Sequence, residues 1–325
     1  LIISEKEQII KKSGLLEYFH PKEYLSNVGG LDNLKDWIHK RGQAYSDDAK
    51  DFGLNIPRGV LLLGIPGCGK SLTAKAIANE WKFPLLRFDL GKVFGGIVGE
   101  SERNIRYALD VAKTISPCVL WIDEIEKGLS GSQSSGRTDG GTSARVFGTF
   151  LTWMQEKKEP VFVVATANDI SALPPELLRK GRFDEIFFVD LPSAKERENI
   201  FDIHLKNKNR DAKALNLDMK ELVKKTEGFS GAEIEEVVNE ALFNAYAENQ
   251  KDLQMNNLLE CISATSPLSR TMAETISNLR KWAKERARMA SNEKPEEVKE
   301  MNEDIPKLQQ EYNNPFISKR KDDRK

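Results

Sequence analysis

The chain has 325 residues, which is enough for two domains that each bury a core of their own. Hydrophobic residues make up 39% and charged residues 30%, as is typical of a globular protein. Because 49 basic residues stand against 50 acidic ones, no global charge attracts nucleic acid or an anionic membrane. No apolar run approaches the roughly 20 residues that span a bilayer, so we expect no membrane insertion.

The first segment, residues 1–22, lacks a starting methionine and the apolar core of a secretory signal. We expect a helix or linker there. The missing methionine would be explained if this segment is the remnant of a truncated N-terminal domain. The chain has three cysteines, which are too few and too scattered for a disulfide framework. This usage predicts a reducing, cytoplasm-like compartment.

Short apolar runs alternate with helical patterns through the next part of the chain. The runs occupy residues 60–63, 85–89, 118–123, 161–166 and 185–189. Apolar runs without polar alternation are expected where helices cover both faces of a sheet, and strand–helix alternation favours parallel strands. The sequence therefore predicts an α/β domain over residues 23–190 with a mostly parallel central sheet.

The segment GIPGCGKS, residues 64–71, follows the first run and opens a helical pattern. It fits the phosphate-loop pattern G-x-x-x-x-G-K-[ST], in which glycines let backbone N–H groups curl around phosphate oxygens. Lys70 is expected to reach the β- and γ-phosphates of a nucleotide, and Ser71 to bind Mg²⁺. The other expected nucleotide contacts in this segment are Gly64, Pro66, Gly67, Cys68, Gly69 and Leu72. For Cys68, a pKa lowered by the helix N-terminus and a purely steric role both stay open.

The apolar run at residues 118–123 ends in the acidic pair Asp123–Glu124. We expect Asp123 to hold Mg²⁺, directly or through water, and Glu124 to polarise an attacking water molecule. Two acids after a strand are weak support alone, but a phosphate loop needs both groups. The two motifs together predict hydrolysis of a nucleoside triphosphate.

After residue 193 the strand-like runs stop. Helical patterns cover residues 194–206, 231–247 and 271–289, and Ser230 with Glu233 forms a predicted capping box for the second. We predict an all-helical domain over residues 191–290. The charged tail, residues 291–325, and the Gly/Ser-rich segment 130–143 have little to bury and are predicted to be mobile.

Six segments stand in the order and at the spacing found in AAA ATPases. They are NVGGL (27–31), GIPGCGKS (64–71), VGESERNIR (98–106), LWIDEIEK (120–127), ATAND (165–169) and LLRKGRFDEI (177–186). Over residues 25–290 the chain resembles this family, most closely its branch described as a hypothetical plastid reading frame of algae and cyanobacteria. The resemblance implies a P-loop NTPase αβα sandwich followed by a small helical AAA lid, with ATP and Mg²⁺ as cofactors.

The resemblance also implies roles for three polar residues. Asn168 corresponds to the sensor amide that orients the lytic water together with Glu124. Arg179 and Arg182 correspond to arginine fingers that reach the γ-phosphate on a neighbouring subunit, which implies a ring, usually a homo-hexamer. A surface ion-pair cluster is the alternative for these arginines.

The nucleotide pocket follows from the same resemblance. The backbone near Val28 and Gly29 would line the adenine pocket, and His204 would contact the ribose region. Packing on an amphipathic face is the alternative for His204. Gly231 and Ala232 replace a sensor arginine, as in related AAA proteins, and their small size would let the lid close on the nucleotide.

Ile97 stands where rings that thread polypeptide usually carry an aromatic residue, so we expect a weaker grip on a substrate. No HExxH zinc-protease pattern occurs in the sequence. The leading hypothesis is a ring ATPase of the cytoplasm or plastid stroma that remodels a partner, most simply a protein. The alternative is a nucleotide-dependent assembly switch with slow hydrolysis. A nucleic-acid motor is disfavoured by the near-neutral charge.

Overall fold

The computed structural model describes residues 7–8, 10, 14–94, 100–128, 142–179 and 181–293. The predictions for Ile97, for residues 130–141 and for the tail beyond residue 293 lie outside this part of the chain. The described strands are β1 (Leu16–Phe19), β2 (Gly59–Gly64), β3 (Leu85–Phe88), β4 (Cys118–Ile122), β5 (Val161–Ala167), β6 (Glu185–Val189) and β7 (Arg288–Met289).

These strands form one sheet in the order β1-β3-β4-β5-β2-β6-β7. All pairs are parallel except β1 with β3, so the predicted mostly parallel sheet is confirmed. The five strands β2 to β6 coincide with the five predicted apolar runs. Because β2, β4 and β5 are neighbours, their carboxyl ends meet at one edge of the sheet. Ligands of open α/β sheets bind at this edge.

Helices cover both faces of the sheet. The described helices of this part are α1 (Asp32–Gly42), α2 (Asp47–Asp51), α3 (Lys70–Glu80), α4 (Leu90–Phe94), α5 (Glu100–Ile115) and α6 (Thr142–Glu156). Along β2, Val60 and Leu62 pack in one core with α1 and α3, whereas Leu61 and Leu63 pack in the other with α5 and α6. This alternation is the period of a strand buried on both faces, and it confirms the αβα sandwich.

A separate helical unit follows β6. Its helices are α7 (Ala194–Asn207), α8 (Met219–Lys225), α9 (Gly231–Ala247) and α10 (Met255–Ala264), which share a core of their own. The predicted capping box begins α9: Ser230 Oγ accepts from Glu233 N at 3.3 Å, and Ser230 N donates to Glu233 Oε2 at 2.7 Å. We call this unit, residues 194–264, the lid.

The helix predicted over residues 271–289 is wrong in its extent. The chain instead forms the short helix α11 (Leu268–Thr271), then α12 (Ala273–Arg286), and returns to the sheet as β7 beside β6. Leu279 and Ala283 of α12 pack in the core that β2 shares with α5 and α6, and not in the lid core. None of the helices in the described part of the chain is long and apolar enough to cross a membrane.

Candidate nucleotide site

The phosphate-loop segment lies between β2 and α3, at the carboxyl edge of the sheet. Gly69 has a φ of 86° and immediately precedes α3, in the left-handed region that favours glycine. Gly67 has a φ of 75°, and a Cβ atom there would meet Ser230 Oγ and Ala232 Cβ at 3.0 Å. Glycine is therefore required at position 67 by conformation and by the close approach of the lid.

Lys70 is buried at the first turn of α3. Its Nζ donates to the carbonyl oxygens of Gly64 at 2.9 Å and Ile65 at 2.7 Å. Burial lowers the pKa of Lys70 to about 8, although nearby acidic groups, including Glu126, act to raise it. The ammonium group is thus held by neutral carbonyls and can exchange them for phosphate oxygens.

Cys68 lies in the same loop. Burial raises the pKa of its thiol to about 12, against the opposing influence of Lys70. The lowered pKa that the helix N-terminus suggested is therefore wrong, and the steric role is favoured.

Asp123 follows β4 and lies beside the phosphate loop. Its Oδ1 accepts from Ser71 Oγ at 2.8 Å and from Thr166 Oγ1 at 2.7 Å. A hydroxyl and a carboxylate are hard oxygen donors of the kind that Mg²⁺ takes from proteins, with phosphate oxygens and water completing its shell. No group of three or more His, Cys, Asp or Glu side chains with metal-site geometry occurs among the described residues. This donor set fits Mg²⁺ bound together with a nucleotide, and not as a separate structural ion.

Glu124 has a φ of 48°, a left-handed conformation that costs a glutamate strain energy. Its carboxylate is held at both oxygens: Asn168 Nδ2 donates to Oε1 at 3.0 Å, and Lys127 forms an ion pair with Oε2. Asn168 is itself fixed by its backbone N–H, which donates to Glu126 Oε1 at 2.9 Å. Burial raises the pKa of Glu126, whose Oε2 has no hydrogen-bond partner among the described atoms. The predicted base and sensor amide are therefore in direct contact.

A cavity of about 470 Å³ lies between this edge of the sheet and the lid, within the size range of small-molecule sites. The predicted residues that line it are Val28, Gly29, Pro66, Gly67, Cys68, Gly69, Lys70, Ser71, Leu72, Asp123, Glu124, Asn168, His204, Gly231 and Ala232. Gly64 does not line it but contributes one of the two carbonyls that hold Lys70. The sequence motifs thus converge on one cavity.

One end of this cavity lies between the segment containing Gly29 and the lid helix α7. A Cβ atom on Gly29 would lie 2.4 Å from Ile200 Cγ1, so the two elements are in close contact. His204 is one turn further along α7, and its Nδ1 is 4.0 Å from Glu235 Oε1. Burial lowers the pKa of His204, against the influence of Glu235. An imidazole with a lowered pKa is neutral at pH 7 and can offer both a donor and an acceptor.

The two predicted arginine fingers lie elsewhere. Arg179 is exposed and Arg182 is half-buried, and neither lines the cavity of its own chain. The Nε of Arg182 is buried without a hydrogen-bond partner among the described residues.

Sequence reasoning missed several residues that line the cavity. Thr166 bridges Asp123 and Glu124 from β5. Glu196 of α7 is buried and accepts from Leu31 N at 3.1 Å, which ties the lid to the start of α1. Asp190, at the end of β6, pairs with Arg280 of α12 at 2.9 Å. Each is a single polar residue in an ordinary strand or helix pattern, so only the fold brings it to the site.

Comparison with known proteins agrees with this site. Residues 60–191 match the family described as "ATPase family associated with various cellular activities (AAA)", and residues 216–260 match the AAA+ lid domain. The first match contains the phosphate loop, Asp123, Glu124 and Asn168. The second contains all of α9, the lid helix that approaches the loop.

Full-length relatives extend the match. The chain is 51% identical over 283 residues to "Uncharacterized AAA domain-containing protein ycf46" of Guillardia theta, which covers 87% of this chain and 55% of that protein. It is 51% identical over 292 residues to the protein of the same name from Pyropia yezoensis, covering 90% of this chain and 58% of the relative. The chain thus spans somewhat more than half the length of these relatives.

A more distant relative is "ATP-dependent zinc metalloprotease FtsH" of Mycoplasma pneumoniae. It is 37% identical over 243 residues, which cover 73% of this chain and 33% of that protein. Since the phosphate loop, the acidic pair and the lid all lie within these matches, the chain belongs to the AAA family of ATPases.

Proposed function

We propose that the chain hydrolyses ATP to ADP and phosphate within a ring, a homo-hexamer in the simplest case, and couples hydrolysis to remodelling of a protein partner. The observation that carries the proposal is the contact between Glu124 and Asn168 beside the phosphate loop. A carboxylate that an amide orients at the edge of a nucleotide-sized cavity is suited to take a proton from water. Membership of the AAA family supports ATP as the nucleotide.

The residues divide the chemistry between them. Lys70 exchanges its two carbonyl partners for phosphate oxygens and neutralises their charge. Ser71 and Asp123 are the residues that would hold Mg²⁺, which supplies charge neutralisation and Lewis acidity at the phosphates. Glu124 accepts the proton of the attacking water, and Asn168 keeps the carboxylate in place during that transfer.

Completion of the site is proposed to need a second subunit. Lys70 is the only lysine or arginine among the described residues that line the cavity of a single chain. Charge that develops on a transferring phosphoryl group is commonly stabilised by an arginine fork as well. Arg179 and Arg182 lie outside their own cavity, which supports their use on a neighbouring one.

The compartment and the partner classes follow from composition. All three cysteines are free thiols, which supports a reducing compartment such as the cytoplasm or plastid stroma. We propose a protein substrate and no nucleic acid, because basic residues do not exceed acidic ones.

The test is ATP turnover per subunit as a function of protein concentration, with Mg²⁺ present. A steep rise of turnover with concentration is expected if arginines act across an interface. Turnover that does not change with concentration would mean that each subunit completes its own site. ATP binding without turnover at any concentration would contradict the hydrolase proposal.

A nucleotide-dependent assembly switch with slow hydrolysis is the second candidate. It is favoured by the ion pair between Lys127 and Glu124, because both carboxylate oxygens of Glu124 are then engaged, Oε2 by Lys127 and Oε1 by Asn168. Turnover measured with and without an unfolded polypeptide distinguishes the two. A remodelling enzyme is expected to accelerate when the polypeptide is added, whereas a switch is not.

A further inference from the structure

Thr166 is hydrogen-bonded to both acidic residues, Asp123 and Glu124. It lies in β5, pairs with Leu62 of β2, and is 1% exposed. Its Oγ1 donates to Asp123 Oδ1 at 2.7 Å and accepts from the backbone N–H of Glu124 at 2.9 Å. One hydroxyl therefore joins the carboxylate proposed to hold Mg²⁺ to the backbone of the proposed base.

A hydroxyl can donate one hydrogen bond and accept others, so its bonds to Asp123 and to Glu124 have opposite directions. A threonine hydroxyl can donate one hydrogen bond, and here Asp123 Oδ1 accepts it. One of its lone pairs is then used by Glu124 N. A valine of similar shape supplies neither interaction, whereas a serine supplies both.

The backbone of Thr166 adds a second contact to the same turn. Its carbonyl oxygen accepts from the N–H of Ile125 at 2.9 Å, so two consecutive N–H groups, those of Glu124 and Ile125, bind one residue. Glu124 lies in the left-handed region, which a glutamate adopts only when its surroundings fix it there. Thr166 supplies part of that constraint.

Two residues at the carboxyl end of β5 hold Glu124 in different ways. Thr166 lies in β5, and Asn168 directly follows the end of that strand. Thr166 fixes the backbone of Glu124, and Asn168 fixes its carboxylate. The two contacts are separate and are broken by different substitutions.

We infer that Thr166 is a positioning residue of the hydrolysis site, whose hydroxyl sets the backbone of Glu124 and the carboxylate of Asp123 in a fixed mutual arrangement. This inference rests on the proposed hydrolase function for its kinetic consequence, but its structural consequence can be measured without turnover.

The experiment compares the full chain with Thr166→Val, Thr166→Ser and Thr226→Val. Thr226 is a buried lid threonine directly after α8, and among the described residues its hydroxyl bonds only to carbonyl oxygens of that helix, so its valine variant controls for loss of a buried hydroxyl. For each protein we would measure amide hydrogen exchange of the peptide containing Glu124, and ADP affinity with Mg²⁺ and with EDTA. Steady-state ATP turnover would give kcat and KM.

With Thr166→Val, we expect faster exchange at Glu124 and a smaller gain in ADP affinity from Mg²⁺. We also expect kcat to fall about 10- to 100-fold with KM little changed, as for residues that orient a ligand of a metal site. Thr166→Ser is expected to recover most of each loss, and Thr226→Val to cause none.

Two outcomes would overturn the inference. One is unchanged exchange and unchanged Mg²⁺ dependence in Thr166→Val; the other is equal losses in Thr166→Val and Thr166→Ser. If the unsubstituted chain binds nucleotide but has no turnover, the hydrolase proposal fails. The exchange and Mg²⁺ measurements still decide the role of Thr166 in that case.

Discussion

Ala232 donates its backbone N–H to the carbonyl oxygen of Gly67 at 3.0 Å. The first turn of the lid helix α9 is thereby bonded to the middle of the phosphate loop. Ser230, which caps that helix, lies so close to Gly67 that a Cβ atom on the glycine would be 3.0 Å from its hydroxyl. Lid position and loop conformation are consequently coupled through one hydrogen bond and one steric contact.

Removal of the loop cation should abolish nucleotide binding. In Lys70→Ala, the β- and γ-phosphates lose the one lysine or arginine among the described residues that line the cavity, and we expect ATP affinity to fall by at least about 100-fold. Lys75→Ala is the matched control, because Lys75 is on the same helix and does not line the cavity. Fluorescence titration with an ATP analogue would check both variants. Unchanged affinity in Lys70→Ala would contradict the assigned role.

Neutralising the base should separate binding from hydrolysis. Glu124→Gln keeps the shape of the side chain and loses its proton affinity, so we expect retained ATP binding and a kcat that is lower by at least about 100-fold. Glu236→Gln, an exposed position on α9, should leave kcat unchanged. Turnover of Glu124→Gln near that of the unsubstituted chain would remove Glu124 from this role.

Complementation tests whether the arginines act on a neighbour. We would mix Glu124→Gln with a double variant, Arg179→Ala and Arg182→Ala, each nearly inactive alone. In a mixed ring, an intact Glu124 faces intact arginines at some interfaces, so we expect turnover of the mixture to exceed that of either parent by several-fold.

The control for this mixture adds Lys70→Ala to the double variant, which leaves no interface with a complete site. Recovery in the control would show that the signal does not come from a shared site. If the first mixture also shows no recovery although mixed rings form, the arginines do not act across an interface.

A pH-dependent effect on stability is expected at Lys157, far from the nucleotide cavity. Burial lowers the pKa of Lys157 to about 8, with Asp184 opposing and Arg58 reinforcing the shift, and its Nζ donates to Val161 O at 2.6 Å. A lowered folded-state pKa means that the unfolded chain binds the extra proton. The resulting destabilisation is fully present below pH 8 and disappears as the pH rises toward the unfolded value near 10.5.

The measurement is the free energy of unfolding by urea at pH 7 and pH 10 for the unsubstituted chain and Lys157→Met. Relative to the variant, the unsubstituted chain should gain on the order of 1 to 3 kcal/mol between the two pH values. Lys158→Met, at the exposed neighbouring position, should show no such change. A pH-independent difference for Lys157→Met would contradict the shifted pKa.

Most of the central sheet was predictable, because five of its strands, β2 to β6, are apolar runs in the sequence. β2 to β6 are buried on both faces, so their sequences lack polar alternation. β1 has one buried residue of four and pairs antiparallel at the edge, and β7 has only two residues. Neither strand has a hydrophobic periodicity that can be detected in the sequence.

The site was predictable where the spacing of residues is set by local chemistry. The phosphate loop and the acidic pair are contiguous in sequence, so their motifs can be read directly. Thr166 and Glu196 are different, since each acts through a contact between segments far apart in the chain. Their residue types are common at such positions, and only the pairing of strands or the docking of the lid gives them a role.

The return of the chain from the lid to the sheet has a mechanical consequence. The polypeptide leaves the sheet at Asp190 and comes back through α12, and Arg280 of α12 pairs with Asp190. The outgoing and incoming connections are therefore fastened at one point on the rim of the cavity. The lid is thus joined to the sheet by two connections that are tied to each other. A rotation of the lid that displaces one connection also displaces the other, and through it α12 and the edge strand β7.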